Sequence, residues 1–259
     1  MSQHQGFTLV EIAISLLVVG LLIGGIMMGQ DLLRTSHLQA VVAAEGQYTS
    51  AVKQFTEKYY ALPGDIPNAV TFWGRADDGT YAGNCGTPAA DTGTGTQTCN
   101  GNGNGQIDAG THEMFRVWQH LANAELIDGA YTGITAGAMA SLHRGGTNSP
   151  RTDMQGATWG MRYSDNTASA TEFQVLLRNH FAFGVPNTTN GFPDDDALTP
   201  AEAASIDTKL DDGVPGTGNI IAIGGYADCT DASASNDFVS AYVTTTEAPE
   251  CALAFKGGF

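Results

Sequence analysis

The chain has 259 residues, room for one or two domains, and its 33 glycines point to a loop-rich fold. Asp and Glu number 27 against 11 Lys and Arg, for a formal net charge of −16 and a pI near 4.4. That balance, with no basic cluster, excludes a protein built to neutralise nucleic-acid phosphates, and the recurring apolar and aromatic residues exclude a disordered chain.

The first predicted element is apolar. From Phe7 to Gly29 there is no Lys, Arg, Asp or Asn, and Glu11 is the only charge. About 20 such residues in a helix cross a hydrocarbon core. A buried core helix would need a polar face, which this segment lacks. A secretory signal peptide would need a basic start, a shorter apolar run and a small-residue cleavage site after it. The opening Met1-Ser2-Gln3-His4-Gln5-Gly6 has no Lys or Arg, and no such site follows. An acid inside a membrane span is expensive and marks a functional position. If the chain is cut after Gly6, Phe7 gains a free ammonium one helical turn before Glu11. In a staggered neighbour the two charges pair in low dielectric, which offsets the burial of the acid and sets the register.

Gly6-Phe7-Thr8-Leu9-Val10-Glu11 followed by this apolar run resembles the prepilin signature of type IV pilins and type II secretion pseudopilins. The resemblance implies that a membrane prepilin peptidase cuts between Gly6 and Phe7 and N-methylates Phe7. It implies that Glu11 pairs with a neighbour's N-terminus during filament assembly. It also implies a single-pass precursor in a bacterial inner membrane, then a periplasmic or cell-surface filament made with other pilins. Leaders of that family usually carry Lys or Arg before the glycine, and here only His4 stands there. The charge cue to orientation is therefore weak, and a cytoplasmic leader rests on the resemblance.

The helical pattern continues past Gly29. Leu38, Val41, Tyr48, Val52, Phe55 and Tyr59 fall on alternating three- and four-residue steps, with Glu45 at the missing one. One helix from Thr8 to Tyr60 is predicted, stopped by Ala61-Leu62-Pro63-Gly64. Gly20, Gly24, Gly25 and Gly29 give small-xxx-small spacings that allow close helix contact and weaken the helix locally. The domain reading is residues 1–6 leader, 7–29 transmembrane or filament-core helix, 30–62 amphipathic half, and 63–259 globular domain outside the cytoplasm.

Residues 83–105 read as a low-complexity loop. Its end, Asn100-Gly101-Asn102-Gly103-Asn104-Gly105-Gln106-Ile107-Asp108, resembles the first part of a calcium-binding EF-hand loop. Asn100, Asn102 and Asn104 fall at the first, third and fifth positions, glycine at the sixth, and the Gln106 carbonyl at the seventh. Asn replaces Asp throughout, and Thr111 stands where the motif ends on an acid, so Asp108 and Glu113 are the charged candidates. Against calcium stands an ordinary Asn/Gly turn. A helix is predicted from His112 to Ile127, with Met114, Phe115, Trp118, Leu121, Ala122 and Leu126 on one face.

Phe173, Val175 and Leu177 alternate with other residues and predict a strand, as do Ile220-Ile221-Ala222-Ile223 and Ala252-Leu253-Ala254-Phe255. Asp194-Asp195-Asp196 reads as a solvated acidic loop. Thr199-Pro200-Ala201-Glu202 is a capping box opening a helix to about Leu210. At that helix's end Asp207, Asp211 and Asp212 gather negative charge where the helix dipole disfavours it, which a cation such as calcium would relieve. A solvated turn is the competing reading.

The four cysteines, Cys85, Cys99, Cys229 and Cys251, form no CxxC pair and no zinc spacing. On an exported domain they predict disulfides. Three pairings are open; Cys85–Cys99 with Cys229–Cys251 closes two local loops, the first stabilising by about 3 kcal/mol. No enzyme motif is complete. His112-Glu113-Met114-Phe115-Arg116 has Arg where a zincin helix needs its second His, and the six histidines show no ligand spacing. Asn187-Thr188-Thr189 fits a glycosylation triplet too common to decide anything.

The expectation is therefore an α+β, pilin-like fold: a long N-terminal helix against a small, mostly antiparallel sheet with looped insertions. The expected function is a structural filament subunit, not an enzyme, with calcium the one cofactor suggested. Its partners would be copies of itself, other pilins, the prepilin peptidase and the inner membrane. A secretion pseudopilin is the near alternative. A membrane-tethered calcium- or ligand-binding module that never polymerises is a further one, and an exported enzyme is the most remote.

Overall fold

The computed structural model describes residues 8–76, 95–109, 112–135, 142–165 and 172–259. Helix α1 spans Leu9–Tyr59. Short α2 (Ala69–Trp73) and amphipathic α3 (Glu113–Asn123) follow, then β1 (Thr158–Ser164), β2 (Arg178–Gly184) and α4 (Pro200–Leu210). The chain closes with β3 (Ile220–Ile223), α5 (Tyr226–Cys229) and β4 (Ala252–Lys256). The fold is α+β: a long apolar N-terminal helix and one small antiparallel sheet.

Two compact units divide the chain, Met1–Ala40 and Val41–Phe259. In the first, the described part of α1 buries no large side chain: Leu16 and Leu21 are each 69% exposed and Met28 is 78% exposed. This helix is long and apolar enough to cross a membrane.

In the second unit the remaining turns of α1 are a core element. Val41, Tyr48, Ala51, Val52 and Phe55 are buried, following the spacing that predicted one apolar stripe. Tyr48 meets Trp118 of α3 edge-on at 5.2 Å and Trp159 of β1 at 5.4 Å. Phe55 lies parallel to His120 at 6.3 Å. Each such side chain contributes about 1.5–3 kcal/mol by leaving water. Tyr60 turns left-handed (φ 56) just past the helix, and Gly64 (φ 90) completes the stop. A Cβ at Gly64 would sit 2.5 Å from the Glu113 carbonyl oxygen, so only glycine lets this turn pass α3.

The sheet order is β1-β2-β4-β3, antiparallel throughout. Met161, Phe181, Phe255 and Ile220 form one cross-strand row on the face that Tyr48 touches. Arg162, His180 and Lys256 form a row on the other face. A loop from Phe192 to Asp195 lies directly on that face. A Cβ at Gly160 would come 2.7 Å from Phe192, and one at Gly184 would come 2.6 Å from the Asp195 carbonyl.

Several expectations need correcting. The helix expected to reach Ile127 ends at Asn123, where Ala124 caps it and Glu125 turns left-handed (φ 60). Residues 173–177 are not a strand: Phe173 and Leu177 are buried, but Gln174 bonds Ser235 across a loop and no ladder forms. Strands β1 and β2, short α2 and short α5 were not foreseen. Nor is Asp194 solvated. It is 4% exposed and pairs with Arg162 at 3.4 Å, while the Arg162 guanidinium lies 4.0 Å over the Phe192 ring. Asp195 and Asp196 are half-buried beside it.

Candidate functional site

Residues from Asn100 to Asp108 do come together, around a residue the sequence reading had not placed there. Asp65 Oδ1 accepts the backbone N–H of Gly103 at 2.7 Å and of Asn104 at 3.2 Å, and Oδ2 accepts that of Gly105 at 2.7 Å. Glu113 accepts the N–H groups of Asn102 and Asp108, each at 3.0 Å. The Asn side chains fold onto the loop itself: Asn102 Oδ1 accepts the Asn104 N–H at 2.9 Å, and Asn104 Oδ1 accepts the Gln106 N–H at 2.7 Å. Their amides donate to Asp108 Oδ2 at 2.7 and 3.2 Å, while Asn100 Oδ1 accepts the Val70 N–H at 3.0 Å.

Donors thus converge on carboxylates here, whereas a calcium loop turns oxygens toward a cation. Asp65 and Glu113 are each 2% exposed. Burial is the largest influence on both: it raises the Asp65 carboxyl and pushes Glu113 up to about 7, against the N–H groups that favour the anions.

Asp207, Asp211 and Asp212 lie at the end of α4, and one oxygen from each falls within 4.8 Å of the others. These oxygens also accept hydrogen bonds. Asp207 takes the Gly213 N–H at 3.1 Å and the Tyr242 hydroxyl at 2.8 Å. Asp212 takes the Val214 N–H at 2.8 Å and the Thr217 hydroxyl at 2.6 Å. Asp211 takes the N–H groups of Asn219 and Ile220. Burial pushes the Asp207 carboxyl up to about 6, helped by its two acidic neighbours. Lys256 donates to the Gly218 carbonyl at 2.8 Å and is attracted by Asp211 and Asp212, so part of the compensating charge is built into the chain. Asp207, Asp211 and Asp212 are the carboxylates here that could hold a cation.

His120 is a core residue. Burial first, and Arg116 second, hold its pKa well below the ordinary value. Its Nδ1 accepts the Gly64 N–H at 2.9 Å, which leaves the proton on Nε2 facing Thr98 Oγ1 at 2.8 Å. Cys229 is bonded to Cys251 with a Cα–Cα distance of 5.1 Å. Cys99 is also disulfide-bonded; its expected partner Cys85 lies outside the described residues.

At the start of α1 the Thr8 N–H and hydroxyl both donate to Glu11 Oε2 at 2.8 Å, and the Glu11 N–H donates to Thr8 Oγ1 at 3.3 Å. This is a capping box, and the sequence reading missed it although Thr-x-x-Glu signals one. Gly6 and Phe7 lie outside the described residues. Residues 1–27 match the model of the prokaryotic N-terminal methylation motif. The chain carries the prepilin-type signature. No curated protein and no solved structure matches it.

The prepilin-type segment therefore joins a processing motif to an exposed apolar helix. Its one described acid, Glu11, sits on the first turn with its carboxylate turned toward the end from which Phe7 enters. There it favours the positive end of the helix dipole and offers a partner to an ammonium.

Proposed function

We propose that this chain is a structural subunit of a type IV pilus or a related filament, cut by a prepilin peptidase between Gly6 and Phe7 and methylated on Phe7. The observation that carries the reading is the methylation motif at residues 1–27 on a helix whose large apolar residues from Leu9 to Leu33 stay exposed among the described residues. Such a surface needs lipid or other apolar helices around it. The apolar turns of α1 would line the filament core, Glu11 would pair with a neighbour's N-terminal ammonium, and the disulfide-bonded unit would face outward. Before assembly the chain sits once through the inner membrane.

Mass spectrometry of the native N-terminus tests the processing step: a chain beginning at methylated Phe7 is expected, and an intact Met1 overturns it. For assembly, Glu11→Ala should leave processing intact and abolish incorporation into filaments. Incorporation at the wild-type level would instead make the chain a tethered module. Long surface fibres containing the protein support the pilus; loss of protein secretion on deleting the gene, with no such fibres, makes it a pseudopilin.

The calcium reading attaches to Asp207, Asp211 and Asp212, supported by their mutual approach. Millimolar calcium should raise the melting temperature, and Asp211→Asn should remove that rise. If Asp108→Asn removes it instead, the ion sits at the Asn100–Glu113 loop.

A further inference from the structure

Asn100-Gly101, Asn102-Gly103 and Asn104-Gly105 are consecutive Asn-Gly pairs, and Asn190-Gly191 is another. This dipeptide is chemically labile. Glycine has no Cβ to obstruct its backbone nitrogen, which attacks the Asn side-chain carbonyl carbon. A nitrogen–carbon bond forms, the backbone N–H proton goes to the departing amide, and ammonia leaves a cyclic succinimide. Water then opens the ring at either carbonyl to give an aspartyl or an isoaspartyl residue. The net change is consumption of one water and release of one ammonia, with no oxidant or reductant.

The attack requires a glycine nitrogen that is free to move and to lose its proton. In this fold those nitrogens are held. Gly103 N–H donates to Asp65 Oδ1 at 2.7 Å and to the Asp65 carbonyl at 3.0 Å. Gly105 N–H donates to Asp65 Oδ2 at 2.7 Å. Gly101 N–H donates to the Ile66 carbonyl at 2.9 Å, and a Cβ on Gly101 would lie 2.3 Å from the Asp65 Cα, so that pair is also wedged in place. Asn102 and Asn104 are exposed to the water that completes the reaction.

We propose that residues 102–105 are a latent deamidation site and that Asp65 is the residue that keeps it closed. One buried carboxylate fixes both vulnerable nitrogens. Opening of the loop commits it, because a new carboxylate at position 102 or 104 stands beside Asp65, Asp108 and Glu113 and repels them, so the loop does not close again as before. An isoaspartyl product also lengthens the backbone within a tight turn.

The test is peptide mapping of the full chain, kept in detergent micelles at mildly alkaline pH, comparing wild type with Asp65→Asn. Asn190-Gly191 is the internal clock, since its glycine N–H is held by the Asn187 carbonyl at 2.7 Å and not by Asp65. Deamidation at Asn102 and Asn104 should rise several-fold in the variant while Asn190 keeps its rate. An unchanged rate overturns the proposal. So does a slower rate, which would make Asp65 a base that assists the attack, and so does equal acceleration at all the exposed pairs, which would place the effect in global unfolding. Should the variant fail to fold, wild type decides alone: native protein must deamidate at Asn102 and Asn104 far more slowly than urea-unfolded protein, and equal rates overturn the assignment.

Discussion

Thr8-Leu9-Val10-Glu11 and Thr199-Pro200-Ala201-Glu202 build the same hydrogen-bonded box in two different settings. The threonine N–H reaches the glutamate at 2.8 Å in the first and 2.9 Å in the second, and the return bond is 3.3 Å in both. Around Thr199 the box is half-buried on α4, in a unit with its own core. Around Thr8 it opens the stretch of α1 up to Ala40, which has no core of its own among the described residues. Identical local chemistry therefore does different work. Glu202 opens α4, whereas on the proposed reading the Glu11 carboxylate, bound by Thr8 through Oε2, would also meet an arriving ammonium.

The largest expected contrast comes from removing the acids. Glu11→Ala should abolish filament incorporation with no change in melting of the second unit, while Glu202→Ala should lower that melting and leave incorporation intact. Similar outcomes for the two would break the contrast.

Next come the two stretches of α1. Phe55→Ala should cost about 3–5 kcal/mol in chemical denaturation, because a fully buried ring leaves a cavity. Leu17→Ala, at a residue 64% exposed, should leave the same transition where it was. Loss of the Cys229–Cys251 bond, with its sequence separation of 22, should cost about 3 kcal/mol, read as the denaturation difference between wild type and the Cys229→Ser, Cys251→Ser double variant.

The pH dependence is subtler. Glu113 is raised to about 7 from an ordinary 4.5, so its contribution to stability is present at acid pH and lost as pH climbs through that window. Asp207 and Asp196, each raised to about 6, act in the same direction. Buried His180, lowered to about 3, acts oppositely: its contribution is present above pH 6.5 and is lost on acidification. The wild-type slope should be shallow for that reason. The sharper measurement is the melting difference between Glu113→Gln and wild type, which should move in favour of the variant as pH rises from 4.5 to 7. A difference independent of pH would remove Glu113 from the account. Smallest of all, Thr199→Ala should cost about 1 kcal/mol, and Thr8→Val should leave melting unchanged while Glu11 still supports incorporation.

What the sequence made legible was whatever announces itself locally. The α1 stripe, the Pro-Gly stop, the α4 capping box and strands β3 and β4 are short-range patterns, and each is present. β1 and β2 also alternate, with Trp159, Met161 and Phe181, Phe183 on one face. They were missed because Gly160 and Gly184 look like turn residues, and because Arg162 and His180 look like solvent-facing ones. Both glycines exist to admit the loop that covers that face, a fact of tertiary structure. Asp65 was illegible for a similar reason: it lies 38 residues before Gly103, and nothing near it in sequence marks it as the centre of another loop. The acids at 207, 211 and 212 were readable as a group because one helix end carries them all.

Strand β4 follows the other three strands in sequence yet lies between β2 and β3 in the sheet. Its position dictates an order of events during synthesis. The sheet has a gap at its centre until residues 252–256 emerge. Until then β2 and β3 present unpaired backbone edges, and Cys229 waits for Cys251. Those open edges are the surfaces on which an unfinished molecule would pair wrongly.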